Sequence, residues 1–92
     1  CCIVGEPTSM EVVIGHKGKC ARRVQVRGHA CHSGQSPFGV NAIDYASELI
    51  VYIRQLAREK EKNGPFDKDY EMPYTTLHTG VVHGGTALNI VP

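Results

Sequence analysis

Apolar residues recur along this chain with two different periods. From Arg22 to Arg27 they alternate: Val24 and Val26 fall on one side, Arg23, Gln25 and Arg27 on the other. Period two predicts a strand with one buried face. Further on, Ala42, Ile43, Ala46, Leu49, Ile50, Ile53, Leu56 and Ala57 recur at helical spacing. They predict one long helix with an apolar stripe. Asn41, with Asp44 three residues on, has the form of a capping box in which Asp replaces the usual Glu or Gln. Lys60 and Lys62 suit the negative end of the helix dipole. Asn63-Gly64-Pro65 is a stop signal. Tyr45 and Tyr52 flank the stripe and widen the apolar face, enough to cover a sheet and leave area for a partner.

Shorter apolar runs complete the pattern. Cys1 to Val4 runs into the turn-forming group Gly5-Glu6-Pro7-Thr8, and Met10 to Ile14 runs into Gly15-His16-Lys17-Gly18. Both read as short strands closed by turns. Gly28 to Phe38 reads as a loop and Asp67 to Pro73 as a polar connection. Tyr74 to His83 and Ala87 to Val91 read as strands joined by a hairpin at Gly84-Gly85-Thr86. After Gly18 the order is strand, helix, strand, strand, the first part of the split βαββαβ unit. The expected fold is therefore α+β: a ferredoxin-like βαββ(αβ) two-layer sandwich, cut after its third strand. A start without Met and a stop inside an apolar run are what a segment of a larger protein would show.

Composition narrows the function more than the fold. Lys and Arg number 10 against 9 Asp and Glu, a net charge of +1. That balance gives no basic footprint for nucleic acid or an anionic membrane surface. No apolar run approaches the roughly 18 residues of a membrane span. A chain of 92 residues forms one domain and buries only about 60–65% of its unfolded surface, so its own stability is marginal. Of the four cysteines, Cys1 and Cys2 are adjacent and Cys20 and Cys31 stand alone in core-forming sequence. The pattern fits reduced thiols of a cytoplasmic protein better than a disulfide framework.

Few residues carry candidate chemistry. Glu6 sits in a turn after a short apolar run, where α/β proteins place ligand residues; it reads as a metal ligand or as a solvated turn carboxylate. His29-Ala30-Cys31-His32-Ser33-Gly34 gathers three metal-capable side chains. His16, Cys20, His78 and His83 would have to complete a zinc site, and no spaced cysteine pair of the usual kind accompanies them. A histidine in this Gly/Ser loop is left either as a hydrogen-bond or proton donor or as a surface residue. Gly84-Gly85-Thr86 lacks the glycine spacing and following helix of a phosphate loop. Asn89, inside Leu88-Asn89-Ile90-Val91, is a satisfied sheet residue or one that points into a site.

Five motifs follow in register: Val4-Gly5-Glu6-Pro7-Thr8, Gly15-His16-Lys17-Gly18, Gly28-His29-Ala30-Cys31-His32-Ser33-Gly34, Pro37-Phe38-Gly39-Val40-Asn41-Ala42-Ile43 and Gly84-Gly85-Thr86-Ala87-Leu88-Asn89-Ile90-Val91-Pro92. The series resembles the M20 metallopeptidase and amidohydrolase family over nearly the whole chain. Cys31-His32-Ser33, Met72-Pro73-Tyr74-Thr75-Thr76 and Thr86-Ala87-Leu88-Asn89 are nearest to one deacetylase branch of it.

The resemblance implies a zinc (or cobalt) catalytic domain interrupted by a smaller dimerisation and lid domain. Residues 1–18 would be the edge of the catalytic domain and 19–92 the smaller domain, incomplete at its C-terminus. Glu6 would ligate one metal ion. His32 would reach into the partner subunit's site and stabilise the tetrahedral intermediate there. Asn89 would contact substrate, an N-acyl amino acid, near that shared site. A homodimer is the implied assembly, and no metal is expected on these 92 residues alone.

Overall fold

The computed structural model describes residues 1–3 and 5–92. Val4 lies outside the described residues, and with it the end of the expected first strand. The elements in chain order are strand β1 (Cys31–His32), a 3-10 helix (Ser33–Phe38), helix α1 (Ala42–Asn63) and strand β2 (Ile90–Val91).

Helix α1 forms where the periodicity puts it. The Asn41 side chain accepts hydrogen bonds from the backbone N–H groups of Ile43 at 2.9 Å and Asp44 at 3.4 Å. These occupy two of the four donors that a helix start leaves unpaired. The reciprocal bond from the Asp44 carboxylate is not formed, so only half of the capping box is present among the described residues. At the other end Gly64 adopts φ 75° and donates to the Lys60 carbonyl at 3.0 Å. That left-handed φ favours glycine. Ala42, Ala46, Leu49, Ile50, Ile53, Leu56 and Ala57 are all half-buried, and Ile43 is exposed. The expected stripe is thus the covered face. Replacing Asn41 with Ala is expected to cost about 1 kcal/mol of stability. A urea titration followed by far-UV circular dichroism checks this, and an unmoved midpoint would show that the cap contributes nothing.

The strands differ from the expectation. Arg22 to Arg27 and Tyr74 to His83 form no backbone ladder among the described residues, and Gly84-Gly85-Thr86 does not close a hairpin. The expected strand Ala87 to Val91 is reduced to Ile90–Val91. It pairs antiparallel with β1, Cys31 opposite Val91 and His32 opposite Ile90. A period-two pattern makes a strand only where a neighbouring edge accepts its N–H and C=O groups. In the Gly28–Phe38 region, read as a loop, the edge of β1 is there to be paired.

Met10 departs for another reason. Ser9 and Met10 have φ 57° and 68°, and Glu11 N donates to Thr8 O at 3.1 Å. Both central residues are left-handed, as in the primed turns that join hairpin strands. Met10 is spent on the turn, so it does not begin a strand.

The radius of gyration is 20.1 Å, against about 12 Å for a compact domain of this length. The chain exposes 8716 Å², where a folded monomer of this mass would expose about 5300 Å². Apolar side chains account for part of the excess: Ile14 and Leu88 are fully exposed and Val81 is 75% exposed. Val91 is the single buried apolar side chain among the described residues. One long-range clamp lies away from β1 and β2. Lys17 Nζ donates to the carbonyls of Met72 at 2.9 Å and Tyr74 at 2.7 Å. It ties the Gly15–Gly18 segment to the connection after α1, beside a cleft of about 340 Å³ lined in part by Phe66, Asp67 and Tyr70.

Candidate functional site

Two candidate residues meet where the loop after Gly28 is fastened to the last strand. His29 and Val40 exchange backbone hydrogen bonds of 2.9 and 3.0 Å, closing the base of the loop. β1 pairs with β2 along one flank. Ser33 N donates to Asn89 O at 2.9 Å, and Ala42 N donates to Pro92 O at 2.8 Å. Loop, helix start and C-terminal strand therefore form one backbone knot. His32 is directly bonded to Ser33, and Ser33 is hydrogen-bonded to Asn89, so residues 57 positions apart are held side by side.

Gly28 lies where three segments of backbone cross. A Cβ built there would meet Val40 O, Pro92 O and, at 2.9 Å, Ala42 N. Only glycine permits that approach.

Within the loop, His32 precedes the 3-10 helix as its N-cap, with φ −64° and ψ 141°. Its Nδ1 accepts from Gly34 N at 3.2 Å. The Cys31 thiol donates to Gln35 O at 3.4 Å. His32 and Asn89 are both exposed. The Asn89 side-chain amide makes no hydrogen bond among the described residues. Both residues carry polar side chains at this edge of the knot.

Glu6 is also exposed and shares no hydrogen bond with His32 or Asn89. Among the described residues no three His, Cys, Asp or Glu side chains converge as metal ligands. All four cysteines are free thiols. Among the described residues no helix is long and apolar enough to cross a membrane. The shifted titration lies elsewhere, at Tyr74. Partial burial, and then the Glu61 carboxylate to which its hydroxyl donates at 3.4 Å, push the phenol above its ordinary value.

The motif reading missed the His29–Val40 clasp, the pairing of β1 with β2 and the role of Gly28. The available signal was Gly28 itself, at the end of an alternating run, where a glycine often marks close approach of another backbone.

Residues 14–92 match the peptidase dimerisation domain of the M20 type. The chain belongs to this family. Over 90 residues it is 38% identical to proteins named acetylornithine deacetylase from Aliivibrio fischeri and from Aliivibrio salmonicida. Each alignment covers 96% of this chain and 23% of the relative. The chain thus spans about a quarter of the length of the curated relatives it matches.

Proposed function

We propose that this chain is the dimerisation and lid segment of a cytoplasmic, metal-dependent amidohydrolase that converts N-acetyl-L-ornithine to ornithine and acetate, a step of arginine biosynthesis. The observation that carries this reading is the 38% identity to acetylornithine deacetylases along 96% of the chain. In this reading residues 19–92 supply the first part of a ferredoxin-like two-layer domain and residues 1–18 the edge of the catalytic domain. Two copies pair through the smaller domain.

His32 then acts as a hydrogen-bond donor to the oxyanion that develops when the substrate amide is attacked, in the partner's site. Such a donor lowers the barrier because its charge is strongest where the transition state carries charge. Asn89, held beside it, uses its amide to orient the substrate. Glu6 serves as one metal ligand in its own subunit. The described residues do not by themselves fit a zinc or cobalt centre, since a single carboxylate with no converging partners among them cannot hold one. The remaining ligands belong to other parts of the longer protein.

A sister enzyme acting on another N-acyl amino acid is the competing reading within the family. Kinetics of the full-length protein on a panel of N-acyl amino acids separates the two. N-acetylornithine is expected to give the highest kcat/KM, and the isolated 92-residue chain is expected to hydrolyse none of them. A higher kcat/KM on another acyl substrate would replace the substrate assignment. Turnover by the isolated chain would overturn the division of the site between segments. A module for association alone is favoured only by exposed apolar positions such as Tyr45, Val51 and Tyr52 on α1. A full-length protein without amidohydrolase activity would establish it.

A further inference from the structure

The geometry points to Gly34 as a positioning residue: its backbone N–H holds the His32 ring in one orientation and in the tautomer that carries the proton on Nε2. The inference rests on the reading of His32 as an oxyanion donor and adds what makes it a donor. Gly34 N lies 3.2 Å from His32 Nδ1. A backbone N–H only donates, so Nδ1 presents its lone pair. In a neutral imidazole the proton then resides on Nε2.

The same contact makes His32 the N-cap of the 3-10 helix, so the ring is fixed by the turn that follows it. That turn is fixed in its own right. Its loop is clasped at the base by His29 and Val40, and Ser33 N is bonded to Asn89 O at 2.9 Å. The direction of the Gly34 N–H is therefore set by backbone geometry and not by a mobile side chain. The two ring nitrogens have separate duties: Nδ1 is engaged by the loop, and Nε2–H has no partner among the described residues. The other tautomer, with its proton on Nδ1, would present a lone pair on Nε2 to an oxyanion and repel it.

The test uses the full-length enzyme labelled with 15N-histidine, with the His32 signals assigned by their loss in His32→Gln. Two variants separate the amide from the side-chain space. Gly34→Ala keeps the N–H, and its Cβ meets Nδ1 at 3.4 Å, an ordinary contact. Gly34→Pro removes the N–H. Wild type and Gly34→Ala are expected to show one protonated Nε2 and one bare Nδ1. In Gly34→Pro the two ring shifts should move towards each other. Its kcat should fall about 3- to 10-fold at little-changed KM, the range of one lost neutral hydrogen bond.

A protonated Nδ1 in the wild type, or ring shifts unmoved in Gly34→Pro, would overturn the assignment. If Gly34→Pro does not fold, the wild-type coupling across the hydrogen bond from Gly34 N to His32 Nδ1, in protein labelled with both 15N-glycine and 15N-histidine, decides, and its absence counts against the inference. The oxyanion role fails separately, if His32→Ala leaves kcat unchanged while the tautomer is as stated.

Discussion

Replacing His32 with Ala in the full-length protein should lower kcat on N-acetylornithine by about 100- to 1000-fold and leave KM within a few-fold of wild type, the signature of losing one oxyanion donor. The split between the two constants follows from where the donor acts. A group that meets the amide oxygen only as charge develops contributes to the transition state and little to substrate binding. An equal loss through KM would instead make His32 a substrate-binding residue.

The proposed sharing of the site across the dimer gives this variant a second, sharper readout. A His32→Ala subunit keeps Glu6, and a Glu6→Ala subunit keeps His32. If the histidine works in the partner's site, a mixed dimer contains one site with both groups intact and one with neither. Two inactive preparations, unfolded together and refolded, should regain up to about a quarter of the wild-type activity, since half the dimers are mixed and each has one good site. If both groups serve the same subunit, every site in the mixture lacks one of them and no activity returns.

Gly28→Ala should be the most damaging small substitution in the chain, costing about 3 kcal/mol, at the upper end of what an added methyl does in a tight site. The obstacle is backbone on all sides: the carbonyls of Val40 and Pro92 and the amide of Ala42. None can rotate away as a side chain would. The strand end, the loop base and the helix start must separate, and the bonds from His29 to Val40 and from Ala42 to Pro92 stretch with them. His32 and Asn89 depend on that knot for their proximity, so kcat should fall together with stability. Gly18→Ala is the control, because nothing lies within 4 Å of a Cβ at Gly18. Denaturant titrations of the two full-length variants compare them directly. Equal midpoints would show that the crossing at Gly28 yields without cost.

The helix was legible residue by residue. Its stripe, its Asn41 cap and its Gly64 stop are local features, each set by neighbours within a turn or two, and local chemistry decides them. The family was legible too, since the order of five short motifs survives whatever the chain does between them. Glu6, His32 and Asn89 could be singled out as polar residues in telling places, and only the family resemblance related them to one another.

Tertiary structure decided the rest. The alternation at Arg22 to Arg27 states which side of a strand would be buried, yet a ladder needs a second edge, and none meets it among the described residues. The last strand was expected to fold back on its own neighbour through Gly84-Gly85-Thr86; it pairs instead with Cys31–His32. That choice brings Asn89 to Ser33 and closes the knot around Gly28. Backbone hydrogen bonds between distant segments carry almost no side-chain signature, because every residue except proline offers the same donor and acceptor. The sequence by itself therefore determined the helix, the family and the few residues able to do chemistry. Which of those residues stand together, and how His32 is held, was decided only when the segments met.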